Sequence, residues 1–269
     1  MSGKQFCGYN ACMSQQFPIL EFDPVSSPIV QPKNYLPDYI KEKSERCIIT
    51  YFSDVVDHYE RLYKMNQAFK IRTEGIRPRV FYMKGPKNEL IYVVPMSIGA
   101  PQAARVMEVM ASIGVKKFMV CGGAGSLDDA VTGGMVLLPV AAVRDEGTSY
   151  HYLPPSREVH LNPRVQQTIE NVLKRENEPY VKVKTWTTDA IFRETKDKVA
   201  LRRAEGCVTV EMECSAFLAV AQHKNLLCGQ LLYAGDVVKP SGWSYRDWHT
   251  AYDTREKLFG LCVKCLLDL

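Results

Sequence analysis

Three carboxylates follow apolar runs in the second half of the chain, where strands would end. Glu211 and Glu213 flank Met212 after one run, and Asp236 follows another. Carboxylates accept hydrogen bonds from vicinal hydroxyls such as those of a ribose, and methionine packs against a sugar ring. An aspartate that burial keeps protonated can act as a general acid. Each residue also has a structural interpretation, because acidic residues favour helix N-termini and aspartate favours caps and turns.

A glycine-rich segment, Gly122-Gly-Ala-Gly125-Ser126, follows the apolar run that ends at Cys121. A turn of this kind lets backbone N–H groups approach an anion or a sugar, although a purely structural tight turn explains it equally well. It lacks the Lys-Ser/Thr end of a P-loop, and Asp128 occupies the third glycine position of a dinucleotide fingerprint. Together with other polar residues, the glycine-rich segment is predicted to form the site for a phosphate ion or a water molecule. Its candidates are Gly122, Gly123, Ser97 and Arg144.

Two polar loops follow other apolar runs. The stretch Thr187–Arg193 has small polar residues followed by apolar ones, which could wall a planar base, and Arg144–Tyr152 is a similar polar loop. Taken singly, each loop is more simply explained as a surface loop. The candidates for base contacts are Thr188, Asp189, Ile191 and Phe192.

Alternating apolar and amphipathic segments predict the scaffold. The predicted strands are Leu90–Val94, Lys117–Cys121, Gly134–Val143, Val181–Thr187, Cys207–Val210 and Leu226–Tyr233. The predicted helices are Pro101–Gly114, Pro163–Arg175, Glu213–His223 and Tyr252–Leu267. Phe17–Pro24 is expected to be a short strand ending in a turn, and Tyr35–Lys70 to be partly helical. The pattern predicts an N-terminal tail over residues 1–16 and one α/β domain over 17–269. Its central sheet would be mixed, largely parallel and twisted, with flanking helices. Ligands bind beyond the carboxyl ends of strands in such sheets.

The composition excludes several classes of protein. The 269 residues include 34 Lys+Arg and 30 Asp+Glu, a net charge of +4, with 46% hydrophobic residues. This is an ordinary globular composition without a basic run, so neither disorder nor a nucleic-acid partner is expected. The sequence has no apolar stretch of about 20 residues, so no membrane span is expected. The N-terminus lacks the features of a secretory signal.

Nine irregularly spaced cysteines are typical of reduced thiols in a cytoplasmic protein. The spacing Cys262-x-x-Cys265 would allow a metal or redox site. It is better explained by two small apolar residues on one buried helix face, and no metal is expected.

Taken in order, these motifs resemble the nucleoside phosphorylase family, which includes uridine phosphorylase, bacterial purine nucleoside phosphorylase and methylthioadenosine nucleosidase. The most specific match is Val210–Phe217, which is similar to the family pattern V-E-M-E-x-x-A. The resemblance extends from about Phe17 to Leu269. It implies that Met212 and Glu213 hold the ribose, with Glu211 beside them.

Three further motifs carry the resemblance. Thr188–Phe192 is similar to the base-binding segment S-x-D-x-F-Y, and Arg144–Tyr152 to the uridine phosphorylase loop R-x-D-G-x-S-x-H-[FY]. Leu20–Pro24 resembles the family's first strand and G-D-P loop. Phosphate as nucleophile, a homo-oligomer and the absence of an organic cofactor are implied by the same resemblance.

The chain departs from the family where phosphate would bind. Family phosphorylases have an arginine shortly after G-D-P. At that place this chain has the sequence Val-Ser-Ser, residues 25–27. Family phosphorylases have a second arginine two residues before the glycine turn, and this chain has Val120 there. They also have a Ser or Thr after the first glycine of the turn, and this chain has Gly123 there. Another basic group, or one from a second subunit, would have to hold the dianion. The substitutes within the chain are Arg72, Arg77, Arg79, Arg144 and Arg193.

The residues that would indicate whether the base is a purine or uracil give conflicting answers. Asp236 matches the family aspartate that protonates N7 of a leaving purine, whereas Arg144–Tyr152 resembles the uridine branch. Uridine phosphorylases read uracil with a Gln and an Arg just after F-Y; here that stretch is Arg193–Asp197, which does not have this pair, so a clean uracil reader is absent.

We therefore expect phosphorolysis of a purine nucleoside or uridine to free base and ribose 1-phosphate. One alternative is hydrolysis by water, which the missing arginines favour. The other is a nucleoside-binding protein without catalysis.

Overall fold

The computed structural model describes residues 17–25, 27–62, 64–131 and 133–269. The tail predicted over 1–16 lies outside the described residues. The strands are β1 Arg46–Thr50, β2 Asn66–Lys70, β3 Arg79–Lys84, β4 Leu90–Pro95, β5 Lys117–Ser126, β6 Val136–Asp145, β7 Glu158–His160, β8 Tyr180–Thr188, β9 Cys207–Glu211, β10 Leu227–Lys239 and β11 Gly242–Ser244. The helices are α1 Ser53–Arg61, α2 Ala100–Ser112, α3 Pro163–Arg175, α4 Lys196–Ala204, α5 Cys214–Lys224 and α6 Tyr252–Asp268.

The strands form one mixed sheet in the order β11-β10-β6-β8-β9-β5-β1-β4-β3-β2, with β7 paired to β6. An additional pairing of β10 with β5 closes β5, β10, β6, β8 and β9 into a barrel, and β1, β4, β3 and β2 extend from β5 as an open arm. The pairs β1–β4, β1–β5, β5–β10, β6–β8 and β8–β9 are parallel. Parallel strands place their carboxyl ends at one edge of the sheet, which is where the candidate residues lie.

Helices cover both faces of this sheet, as predicted. One core cluster joins α2 and α5 to the sheet, and includes Met107 and Phe217. The other joins α3 and α6 to the opposite face, and includes Ile169 and Leu258. The predicted α/β fold with a mixed sheet is thereby confirmed. No helix in the described part of the chain combines the length and apolarity needed to span a membrane.

The sequence accounts for where the helices begin. Pro101 lies in the first turn of α2, where a missing backbone N–H costs nothing. Asn162 caps α3, and its side-chain oxygen accepts hydrogen bonds from the backbone N–H groups of Arg164 and Val165 at 2.9 and 3.4 Å. Helix α5 is buried over eight consecutive residues, 214–221, because it packs between α2 on one side and β6, β7, β8 and β10 on the other.

Cys262 and Cys265 are fully buried in α6, as their apolar interpretation predicts. Both thiols are free, so neither forms a disulfide.

One prediction for the N-terminal half is wrong, and another is confirmed but incomplete. Phe17–Pro24 forms no strand; Pro18–Leu20 is a short 3₁₀ helix without buried residues. The first strand of the sheet is instead β1, which pairs with both β4 and β5, so the loop after the first strand is Tyr51–Phe52 and not Asp23–Pro24. The segment Tyr35–Lys70, expected to be partly helical, contains α1 but also β1 and β2. Short apolar runs such as Cys47-Ile-Ile are ambiguous between helix and strand until their partners are known.

Two features expected at strand ends lie within strands. The glycine-rich segment predicted as a turn is the second half of β5, since Gly122 and Gly123 pair with Leu232 and Tyr233 of β10. Asp236 lies inside β10, which continues to Lys239.

Candidate active site

The carboxyl ends of β1, β4 and β9 meet beside the glycine segment of β5. The backbone N–H of Gly99, in the loop between β4 and α2, donates to Oε1 of Glu213 at 2.5 Å. The ring of Tyr51, after β1, lies 3.0 Å from where a Cβ on Gly122 would stand. Glycine is required at Gly122 because a side chain there would collide with that ring. Three segments far apart in sequence thus converge on one place.

Glu213 is a buried carboxylate, 5% exposed, between β9 and α5. Burial and, secondarily, repulsion by the nearby Glu211 carboxylate raise its pKa above the ordinary glutamate value. The N–H of Gly99 and the Tyr51 hydroxyl oppose this shift by stabilising the charged form. A carboxylate in this environment is well suited to accept hydrogen bonds from hydroxyl donors.

Tyr51 is a component that sequence reasoning missed. Its hydroxyl is buried and makes no regular hydrogen bond within the described residues. Burial, followed by the charge of Glu213, raises the pKa of this phenol far above its usual value. A buried hydroxyl without a partner costs free energy, so a polar ligand that bonds to it would remove that cost.

Glu211 has a different role from the ribose contact predicted for it. Its Oε2 accepts from the backbone N–H groups of Glu213 at 2.8 Å and Cys214 at 2.6 Å. Its Oε1 accepts from the Thr187 hydroxyl at 2.6 Å, and that hydroxyl in turn accepts from the N–H of Ser215 at 3.1 Å. Glu211 therefore caps α5 and positions Glu213, while its own oxygens are occupied. Burial raises its pKa as well.

Glu146 extends this polar network and was not predicted. It is 6% exposed, and its carboxylate accepts from the Ser215 hydroxyl and from the backbone N–H of Ser149, each at 2.9 Å. The network links the loop after β6 to the start of α5. Buried carboxylates are tolerated where each is hydrogen-bonded in this way.

A notch in the sheet lies next to Glu213. Strand β1 ends opposite Cys121, and β9 pairs with β5 only from Gly125 onward. Among the described residues, no strand faces 122–124 on that edge of β5. Gly122 is buried and Gly123 is exposed. Backbone groups at such a notch are available to a small polar molecule.

Asp236 lies on the far side of this notch. The register of β10 against β5 shifts between Ala234 and Val237, so Asp236 sits in a bulge, a device that redirects side chains near functional sites. Its Oδ2 accepts from the indole N–H of Trp243 at 2.6 Å. Its Oδ1 lies 3.2 Å from where a Cβ on Gly125 would stand. The residue is partly exposed and not fully buried.

The structure does not assemble the residues predicted to contact the base into a wall. Thr188 is buried and accepts from the N–H of Ala190 at 3.3 Å, and Asp189 accepts from the N–H of Gly147 at 2.8 Å. Both side chains therefore hold loops together. Ile191 and Phe192, in a 3₁₀ turn, are 50% and 95% exposed.

Arg144 does not face the notch, which corrects its predicted phosphate role. Its guanidinium is 4% exposed and bonds to the Ser149 and Ser156 hydroxyls and to the carbonyl oxygens of Leu153 and Pro154. The geometry commits Arg144 to folding the 149–156 loop. Ser97 is exposed in the loop that carries Gly99.

Of the other arginines considered as substitutes, Arg72 and Arg79 form ion pairs, whereas Arg77 and Arg193 are exposed and form none with the described residues. Arg72 pairs with Asp38 at 3.5 Å, and Arg79 pairs with Asp57 and Glu60 at 3.1 Å. Arg255 of α6 donates to Tyr233, whose ring contacts Gly123, but its guanidinium is paired with Asp54 at 2.6 Å. Within the described ranges, no group of three or more His, Cys, Asp or Glu residues is arranged to hold a metal ion.

Comparison with known proteins shows the family of the chain. Residues 46–266 match the family model described as the phosphorylase superfamily. The uridine phosphorylase of Haemophilus influenzae is 26% identical over 221 residues, 76% of this chain and 85% of that protein. The guanosine phosphorylase of Halorubrum lacusprofundi is 29% identical over 136 residues, half of this chain and 56% of that protein.

Solved structures show the same fold. The crystal structure of AMP nucleosidase from Bacteroides thetaiotaomicron superposes with a TM-score of 0.70 at 20% identity, covering 88% of this chain and 94% of that one. The family match spans most of the chain, from β1 to α6. The protein belongs to the phosphorylase superfamily of enzymes that act on nucleosides.

Proposed function

We propose that the protein cleaves the N-glycosidic bond of a ribonucleoside in the groove between Glu213 and Asp236. The observation that carries this proposal is the buried Glu213 carboxylate, which the backbone N–H of Gly99 holds beside the buried Tyr51 hydroxyl. Together they offer an acceptor and a donor to a ribose diol. We call Tyr51, Gly99, Met212 and Glu213 the ribose side of the site.

The base would lie on the opposite side of the notch. Asp236 has one oxygen fixed by Trp243 and the other turned toward Gly125, where a leaving base could reach it. A proton delivered to the base as the bond breaks neutralises the charge that develops on it, which lowers the barrier. This arrangement favours a purine, whose N7 accepts a proton. We call Asp236, Phe192 and Trp243 the base side.

Phosphate is the nucleophile we propose first, because two relatives are named phosphorylases. It would occupy the notch at Gly122 and Gly123, where a sheet edge is open. The attack forms a bond from a phosphate oxygen to C1′ of the ribose, and the electron pair of the broken bond stays on the base nitrogen. The products are the free base and ribose 1-phosphate.

Hydrolysis is the second candidate, and a specific observation favours it. Arg72, Arg79, Arg144 and Arg255 are each engaged by groups of the chain itself. A dianion needs charged partners, whereas water does not. A neighbouring subunit could supply the missing charge, since the exposed Phe192 and Ile191 would be covered in a homo-oligomer.

The test is chromatography of inosine, adenosine, guanosine and uridine incubated with the protein, with and without phosphate. Base release that requires phosphate and yields ribose 1-phosphate supports phosphorolysis. Release of the base without phosphate would show that the reaction is hydrolysis and not phosphorolysis. Tight nucleoside binding without release of any base would contradict both and leave the non-catalytic binding protein.

A further inference from the structure

Tyr233 of β10 lies against the glycine segment at the notch. It is paired with Gly123 in the register of β10 and β5. Its ring atoms Cε1 and Cζ lie 3.3 Å, and its hydroxyl oxygen 3.4 Å, from where a Cβ on Gly123 would stand. Gly123 itself is exposed. A ligand atom that takes the place of a Gly123 side chain therefore contacts the Tyr233 hydroxyl.

The notch has a tyrosine ring on each of its two faces. Tyr51 lies at Gly122 and Tyr233 at the next residue, and successive residues of a strand point to opposite faces of the sheet. Tyr233 is 3% exposed and belongs to the core cluster that includes α6. Its ring centroid is 5.9 Å from that of Phe52, in the loop after β1. Packing therefore fixes where the Tyr233 hydroxyl lies.

The two hydroxyls differ in the charge beside them. The Tyr51 hydroxyl lies next to the carboxylate of Glu213. The oxygen of Tyr233 instead accepts from Nε of Arg255 at 3.4 Å. That guanidinium is held by Asp54 at 2.6 Å and by the carbonyl oxygen of Trp248 at 2.8 Å. Since a cation attracts an anion and a carboxylate repels it, the Tyr233 face of the notch is the better place for an anion.

The proton of the Tyr233 hydroxyl is available to a ligand. A guanidinium has no acceptor, so this proton points away from Arg255. Its acceptor within the described residues is the carbonyl oxygen of Trp248 at 3.4 Å, whereas a strong O–H···O bond is about 2.7–2.8 Å long. That carbonyl oxygen keeps its bond to Arg255 when the hydroxyl turns away. A phosphate oxygen offers a charged acceptor and a shorter bond, so the exchange favours the ligand.

We propose that the Tyr233 hydroxyl, held by Arg255, binds the phosphate nucleophile at Gly123. This inference rests on the proposed function and identifies a phosphate contact other than the missing arginines. One phosphate oxygen accepts the hydrogen bond of Tyr233. Another forms the bond to C1′ of the ribose, while the electron pair of the glycosidic bond stays on the base. Tyr233 keeps its proton throughout, and Arg255 acts through Tyr233 as a positioning residue.

The experiment removes the hydroxyl and keeps the ring. In Tyr233→Phe, KM for phosphate is expected to rise about tenfold, because one hydrogen bond to a charged acceptor is lost, while KM for the nucleoside stays constant. Initial rates with each substrate varied in turn measure both values. Tyr180→Phe is the matched control, since it also removes one hydroxyl with a long hydrogen bond, 3.3 Å to Glu170, at the other end of the barrel strands. It is expected to change neither KM.

An unchanged KM for phosphate in Tyr233→Phe would overturn the inference. An equal rise of both KM values would overturn it too, because a purely structural role predicts that result. Cleavage by the wild-type protein that does not depend on phosphate would overturn the phosphate contact and leave nucleoside cleavage standing. Cleavage of no nucleoside would count against the proposed function.

The positioning role of Arg255 has its own test. Arg255→Lys keeps a cation for Asp54 but loses the Nε–H that Tyr233 accepts from. KM for phosphate is expected to rise about threefold in the single variant and not to rise further when the change is added to Tyr233→Phe. A further rise in the double variant would contradict the positioning role, because Arg255 would then contact phosphate itself.

Binding can be measured without turnover by calorimetric titration of the protein with inorganic phosphate. The wild-type protein is expected to bind phosphate, and Tyr233→Phe is expected to bind it about tenfold more weakly. Equal affinities of the two proteins would overturn the inference, whatever the activity. Absence of phosphate binding by the wild-type protein would overturn it as well.

Discussion

On the ribose side, Glu213 is 5% exposed and is bonded to the loop of Gly99, whereas on the base side Phe192 is 95% and Trp243 64% exposed. The first region is formed and hydrogen-bonded before any ligand arrives. The second consists of aromatic side chains on a 3₁₀ turn and a short hairpin. A preorganised region suits the part of the substrate that is constant, the ribose, and an adaptable region suits the part that varies. The difference explains why the sequence signals for ribose are clear and those for the base conflict.

The largest effect is expected from breaking the ribose side. Glu213→Ala removes the acceptor for the ribose hydroxyls, and we expect kcat/KM to fall about a thousandfold, mainly through KM, because charged hydrogen bonds are lost. Initial rates with the nucleoside that the protein cleaves measure this. Circular dichroism must show that the variant is folded. Wild-type kinetics in a folded variant would refute the ribose assignment.

A smaller loss is expected from breaking the base side. Asp236→Asn removes the proton donor but keeps the shape, and we expect kcat for a purine nucleoside to fall about a hundredfold with little change in KM. Steady-state kinetics at several pH values provide the measurement. If the variant also lost affinity for free ribose 1-phosphate, Asp236 would belong to sugar binding and not to the base.

A substitution of Arg144 distinguishes a structural role of this residue from a role in phosphate binding. Arg144→Ala leaves two carbonyl oxygens and two hydroxyls without their donor, and we expect the free energy of unfolding to fall by about 2–3 kcal/mol. Urea denaturation measures it, with Arg164→Ala, an exposed arginine of α3, as the control. KM for phosphate is expected to stay constant. A large rise in that KM without a loss of stability would restore the predicted phosphate role.

The smallest effect concerns pH. The folded state keeps a proton on Glu194 up to about pH 7, while the unfolded chain releases it near 4.5. The free energy of unfolding therefore falls as the pH rises through this window. Because Glu194 is partly exposed, we expect its share to be about 1 kcal/mol. Urea denaturation from pH 5 to 8 should show a flatter dependence for Glu194→Gln, and identical slopes would show that the two proteins bind protons equally.

The sequence locates the residues of the proposed ribose side more directly than those of the proposed base side, for a physical reason. Met212 and Glu213 follow β9 within three residues, so a local pattern is enough to locate them. Tyr51 and Trp243 reach the site only through strand pairing, which no local pattern encodes. Residues 122–125 were expected to form a turn because of their three glycines, but pairing with β10 and β9 makes them part of a strand.

The same contrast holds for the fold. The predicted helices have long periodic patterns and appear with small shifts at their ends, whereas β5 and β10 continue well beyond their predicted ends at Cys121 and Tyr233. Closure of β10 onto β5 was not predictable, since it depends on register between distant strands. The corrected first strand, β1, has only five residues, too few for a decisive pattern.

The bond between Gly99 and Glu213 joins residues 114 positions apart in the chain. Contacts of such sequence separation form late, because the loop between them must be closed first. The pairing of β10 with β5 joins residues almost as far apart, such as Leu227 and Lys117, so the ribose pocket and the barrel are expected to close at a similar stage of folding. A nucleoside that binds only to the finished pocket would slow unfolding more than it speeds folding, and its effect on the two rates would show when during folding the pocket closes.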